Sequence, residues 1–321
     1  MYIEQAYKGL HEGWRYLLGT FIIVFFWLLI GQLPLTVVIL SRAFESGGLD
    51  ADSFGTKALL ETTNLSPNWF TFLMLISFVV GLAALFLVVK YLHKQPITAL
   101  TTTRRKIDWK RFFLSFGLMA AFVIVATGFD YFLNPEDFVV QFRLVPFAIL
   151  FIISILLVPL QTSFEEFFFR GYLMQGLGVI TKNRWFPLII TSLVFGGLHL
   201  SNPEVTQFGP WIMVYYIGTG LFLGILTLMD DGLELALGFH AANNLIQILL
   251  VTADWSAFQS ESILRDITRP ESSISELIVS LGIIYPIFIL IFAKKYKWKN
   301  WKDKLFGKVK PMEPATEQAS L

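Results

Sequence analysis

Eight long apolar runs govern what this chain can become. They cover residues 16–40, 69–89, 112–129, 145–173, 185–200, 211–229, 233–252 and 277–293. A helix needs about 20 mostly apolar residues to cross a bilayer, and in hydrocarbon every backbone N–H and C=O must find its partner within the span. The pattern predicts an all-α fold, a polytopic integral membrane helix bundle with about eight transmembrane helices. Composition agrees: 55% of the 321 residues are hydrophobic and 15% are charged, against about 25% charged in a soluble domain. The first run is longer than a signal-peptide core and no A-x-A-like site follows it, so it is read as a span. The absence of cysteine removes disulfides, thiolate metal sites and a cysteine nucleophile.

Lysine and arginine accumulate on the cytoplasmic side of membrane proteins. With the N-terminus inside, 20 of the 25 basic residues fall in the inner segments and 5 in the outer ones. This places both termini in the cytoplasm and the protein in the plasma (inner) membrane. The tail "KKYKWKNWKDK" (294–304) anchors the inner face. Residues 46–55 read as an outer loop and 311–321 as a disordered end. Three parts are expected. Residues 1–144 hold spans 1–3 and the basic cytoplasmic loop 90–111. Residues 145–252 hold a catalytic core of spans 4–7. Residues 253–321 hold an outer loop, the last span and the basic tail.

Ionisable residues inside a span are costly and mark function by default. The phrase "SFEEFFFRGYL" (163–173) closes the fourth run with Glu165, Glu166 and Arg170. Counting 1.5 Å per residue from the inner ends, Glu165, His199 and His240 lie roughly 12, 21 and 10 Å deep. They meet only if the fourth helix continues through the charged phrase and the short fifth span tilts or shifts. Glu166 and Arg170, at i and i+4, share a face and neutralise each other. Glu165 lies about 100° away and is the freer carboxylate. His240 and Asn244 also share a face, while Asn243 points elsewhere. Gln161, Asp130 and Tyr215 read as interhelical or boundary residues, and His11 and His93 as surface residues. A lone histidine in a span is often a packed residue. One acid, two histidines and an asparagine at compatible depths are less easily explained that way, and they form a set with an acid/base pair and donors.

A carboxylate and an imidazole together hold and deprotonate water, and an amide donates to an oxyanion. The set points to hydrolysis of an acyl bond, most simply a peptide. No serine stands in a G-x-S-x-G setting and no H-E-x-x-H is present. One glutamate and two histidines (Glu165, His199, His240) also satisfy a zinc site with an open position, so a divalent metal such as zinc stays open as cofactor. Asn244, a poor zinc ligand and a good oxyanion donor, tilts the reading toward a mechanism with little or no metal dependence.

At these residues the chain resembles the CPBP (Abi) family of intramembrane proteases. That family includes CAAX prenyl endopeptidases and bacteriocin-processing or immunity proteins. "EEFFFR" (165–170) fits Glu-Glu-x-x-x-Arg, "FGGLH" (195–199) fits Phe-x-x-x-His, and "HAANN" (240–244) fits His-x-x-x-Asn. The resemblance covers about 145–252. It implies that Glu165 activates water with His199 as partner and that His240 and Asn244 form the oxyanion side. Glu166, Arg170 and Phe195 complete the motifs. Proteins of this kind are commonly described as metalloproteases, with the metal disputed. The implied partner is a membrane-embedded or lipid-anchored peptide or protein within the bilayer, CAAX-type or bacteriocin/leader-like, and no nucleic acid. Two other readings stand beside it. A proton- or ion-coupled transporter uses the same residue types, but no repeated halves are visible. A non-catalytic scaffold of the same fold is the other.

Overall fold

The computed structural model describes residues 1–46, 59–60, 64–268 and 279–311. Apart from their first residues, the stretches 46–55 and 311–321 lie outside the described residues. Each of the eight apolar runs holds a helix among the described residues. They form α1 (Gly13–Arg42), α2 (Pro67–Leu92), α3 (Trp109–Leu133), α4 (Leu144–Thr181), α5 (Trp185–Gly197), α6 (Ile212–Asp230), α7 (Glu234–Leu250) and α8 (Tyr285–Tyr296). Five of them, α1–α4 and α6, are long and apolar enough to cross a membrane. The chain is an all-α integral membrane bundle.

The outside of the bundle is apolar, as lipid requires. Leu17 and Phe21 on α1, Val125 and Phe132 on α3, Leu156 on α4 and Leu290 on α8 are all exposed. Where helices meet, small residues let backbones approach closely. A Cβ on Gly238 of α7 would lie 2.2 Å from the Phe112 carbonyl oxygen of α3. One on Gly220 of α6 would lie 3.0 Å from the Ser192 Cα of α5. The pairs α7/α3 and α6/α5 are accordingly among the most extensive in the bundle.

α4 runs on through the charged phrase, as the depth argument requires. Its 38 residues include a π-helical stretch at Phe167–Leu173, just past Glu166. α5 is the opposite case. Its 13 residues span about 20 Å, short of the ~30 Å hydrocarbon layer. His199 lies two residues beyond its last residue.

The two ends of the bundle differ. At the end holding Glu4 and Lys304, Arg104 pairs with Asp230 and Glu234, Arg111 with Asp230, Arg184 with Glu4, and Lys304 with Asp231. At the other end a small sheet departs from the all-helical expectation. β1 (Phe138–Val140), β2 (Val251–Ala253) and β3 (Leu264–Asp266) lie in the order β1-β3-β2, with β1/β3 antiparallel and β2/β3 parallel.

His93 corrects the sequence reading. It is buried rather than superficial, because the N-terminal turn Ile3–Lys8 and the residues after it fold over the end of α2. Its Nδ1 meets the Leu10 carbonyl at 2.7 Å and its Nε2 meets the Tyr172 hydroxyl at 2.9 Å. Burial lowers the imidazole below its ordinary value. Arg15 adds to the shift, and the Leu10 carbonyl and Glu12 oppose it. A depressed folded value means that the unfolded chain takes up the proton first. This contribution to stability is complete above about pH 6.5 and is lost as the pH falls through the folded value. Thermal unfolding in lipid should therefore come at lower temperature as the pH drops below that point, and His93→Gln should flatten the dependence.

Candidate active site

The site is built on four helices around a cavity of about 720 Å³. α4 supplies Gln161 and Glu165, and the turn after α5 supplies His199. α6 supplies Tyr216 and α7 supplies His240, Asn243 and Asn244. The cavity reaches from these residues to Phe138, Trp255 and Asp266 at the end that carries the sheet.

Glu166 and Arg170 hold each other as their spacing predicts. Both are fully buried, and Arg170 Nη1 donates to Glu166 Oε1 at 3.1 Å. Arg170 also donates to the Gly220 carbonyl, and its guanidinium lies 4.2 Å from the centre of the Phe195 ring. Phe195, the first residue of the second motif, thus covers a buried cation. The same ring stands beside His199 and His240, at centroid distances of 4.9 and 6.2 Å.

His240 joins the two carboxylates of α4. Its Nδ1 lies 2.8 Å from Glu166 Oε1, and its Nε2 lies 3.6 Å from Glu165 Oε2. The other carboxylate oxygen, Glu165 Oε1, accepts from Gln161 Nε2 at 2.6 Å. Asn244 Nδ2 donates to Gln161 Oε1 at 3.3 Å. Glu165, His240 and Asn244 are therefore brought together directly or through one side chain.

His199 lines the same cavity but is bonded elsewhere. Its Nδ1 donates to the Phe195 carbonyl at 2.8 Å, and its ring stacks on Tyr216 at 4.3 Å. No hydrogen bond joins it to Glu165 among the described residues.

Three residues of the cavity wall were not among the candidate site residues. Gln161 read as interhelical packing, although it lies four residues before Glu165 on the same face. Tyr216 is visible only once α5 and α6 are packed. Glu204, in the breaker "SNPE", accepts from the Ala257 N–H at 2.8 Å. Burial raises its carboxyl above the usual range, with the Ala257 bond and His199 opposing.

The residues that would hold zinc do not form a ligand cluster. His240 is engaged by Glu166, and His199 stands on Phe195 and Tyr216. Among the described residues no group of three or more His, Asp or Glu is placed to hold a metal ion. This arrangement does not fit a zinc centre.

Residues 144–246 match the family model described as type II CAAX prenyl endopeptidase Rce1-like. Over that segment the chain is similar to the Rce1-like family. The Rce1-like segment runs from the start of α4 through most of α7 and contains every motif residue named above. It gives this membrane protein an intramembrane endopeptidase domain in general terms. Residues 49–129 separately match a model described as cell division protein CrgA, a stretch that holds none of the site residues. The chain is also 28% identical over 297 residues to a Bacillus subtilis (strain 168) protein, "Uncharacterized protein YyaK", covering 91% of this chain and 96% of that one. No solved structure matches the chain.

Proposed function

We propose that this chain hydrolyses a peptide bond of a membrane-associated substrate with a water held by Glu165 and His240. One observation carries the reading. Arg170 and His240 Nδ1 both donate to Glu166 Oε1, which puts a hydrogen on Nδ1; in the neutral imidazole, the form this reading uses, Nε2 then presents a lone pair. That lone pair faces the Glu165 Oε2 at 3.6 Å. Two acceptors facing each other need a shared donor, and a water beside the gap gives one O–H to each. Its own lone pairs then point into the cavity.

As this oxygen attacks the scissile carbonyl, one of its protons passes to Glu165 or His240. The new C–O bond forms, and the oxyanion takes a hydrogen bond from the Asn244 N–H not used by Gln161. Collapse breaks the C–N bond, and the stored proton goes to the leaving nitrogen. His199, backed by Tyr216, gives the peptide a second polar contact across the cavity. Relative to the roles expected from sequence, the two histidines exchange places.

The basic-residue distribution supports cytoplasmic termini, and the plasma membrane is the membrane proposed. In that orientation the sheet-bearing loops face outward, and the cavity is entered from the outer leaflet. A CAAX-type substrate follows from the family description, and a leader-like peptide suits the outward opening. Protein reconstituted in vesicles is therefore assayed on a fluorogenic farnesylated CAAX peptide and on a library of leader-like membrane peptides, with and without chelator. Wild-type protein is expected to cleave a member of one set, and Glu165→Ala and His199→Ala to impair it. Absence of cleavage on both sets would overturn the proposal, and cleavage untouched by both substitutions would overturn the residue assignment.

A further inference from the structure

We propose that Gln161 is a positioning residue for Glu165, the last link of an amide chain directed into that carboxylate. This rests on the reading that Glu165 Oε2 works on water. Four side-chain hydrogen bonds run in one direction. Gln247 Nε2 donates to Asn243 Oδ1 at 3.4 Å, and Asn243 Nδ2 donates to Asn244 Oδ1 at 3.0 Å. Asn244 Nδ2 donates to Gln161 Oε1 at 3.3 Å, and Gln161 Nε2 donates to Glu165 Oε1 at 2.6 Å. All five residues line the cavity; Gln247 is exposed and Gln161 is buried.

The direction has consequences at both ends. At the inner end Glu165 Oε1 is occupied, which leaves Oε2 as the oxygen turned to His240. The terminal torsion of a glutamate is broad. Gln161 is the donor that fixes it, and its own amide is fixed in turn by Asn244. Bonds in such a chain polarise one another, so the last link gains from those before it. At Asn244 the carbonyl accepts from Asn243 and one N–H is given to Gln161, which leaves the second N–H for the cavity. Asn243, which sequence placed on another face, thereby sets which way the Asn244 amide points.

An ordinary bond between α4 and α7 would stabilise the bundle without setting the Glu165 carboxyl. Infrared difference spectra separate the two roles, with the Glu165 band assigned by Glu165→Gln in lipid vesicles. The near-isosteric Gln161→Met is expected to shift that band, and Asn243→Ala, two links upstream, to shift it less. On whichever peptide the wild type cleaves, Gln161→Met should lower kcat by about 10²-fold with KM unchanged, the scale of a misplaced catalytic group. An unmoved band with a lowered unfolding temperature would reduce Gln161 to packing and overturn the proposal, as would a shifted band with unchanged kcat. If the wild type cleaves nothing, the protease reading fails and the spectra alone decide whether Gln161 orients Glu165.

Discussion

Glu165→Gln is expected to lower kcat by about 10²–10⁴-fold, the range that a positioned general base contributes. The substitution keeps shape and volume, and Glu165 borders the cavity rather than anchoring the core. Its bonded partner, Gln161, can turn its amide and donate or accept in the new pair. The unfolding temperature should therefore move little while turnover collapses. The cause is specific: an amide has no basic oxygen to take a proton, and in this orientation it can present an N–H to the His240 lone pair, displacing the water. Turnover within tenfold of wild type would show that Oε2 is not the atom holding that water, and the site would have to be rebuilt around His199.

Arg170 should govern folding as Glu165 governs turnover. Arg170→Leu leaves the fully buried Glu166 carboxylate without its cation, and removing one partner of a buried pair costs about 3–5 kcal/mol. Glu166 Oε2 already has no hydrogen-bond partner among the described residues, so the environment offers little compensation. The double variant Glu166→Leu/Arg170→Leu should recover much of the lost stability, because two apolar groups in place of a buried pair are often neutral. It should not recover activity, since the acceptor that holds His240 Nδ1 is gone. Unfolding and cleavage measured on the wild type, the Arg170→Leu variant and the double variant should give opposite outcomes for the two readouts. A double variant as unstable as the single would place the stabilisation in the contacts of Arg170 with Gly220 and Phe195 instead.

What sequence disclosed follows from what each kind of pattern measures. Lipid permits few solutions, so apolar run length located all eight helices. Helical spacing paired Glu166 with Arg170 because i and i+4 are neighbours whatever surrounds them. Depth counting brought Glu165 and His240 to one level, but height along a bundle does not say which way each helix is turned. Direction alone decides that His240, and not His199, faces the two carboxylates. His93 escaped for a related reason: its cover comes from the N-terminal turn, 80 or more residues away in the chain. The sheet escaped because three-residue strands carry no period. Gln161 was read as an interhelical residue and does bond Asn244 of α7; its second bond, to Glu165, has no local sign in the sequence.

The shortness of α5 bears on how a hydrolase can work where water is scarce. A helix that ends well inside the hydrocarbon depth leaves its last carbonyls to be satisfied by something other than itself. The following turn answers: the N–H groups of Leu198, His199 and Leu200 bond the Val194, Gly196 and Gly197 carbonyls, His199 Nδ1 bonds that of Phe195, and the turn at 198–202 lines the cavity. A bilayer beside so short a helix would thin or be held away, which would bring the aqueous boundary toward His199. On the proposed mechanism the reactant water would then have only a short path to travel, and a peptide arriving from the lipid would meet hydration and the carboxylate together.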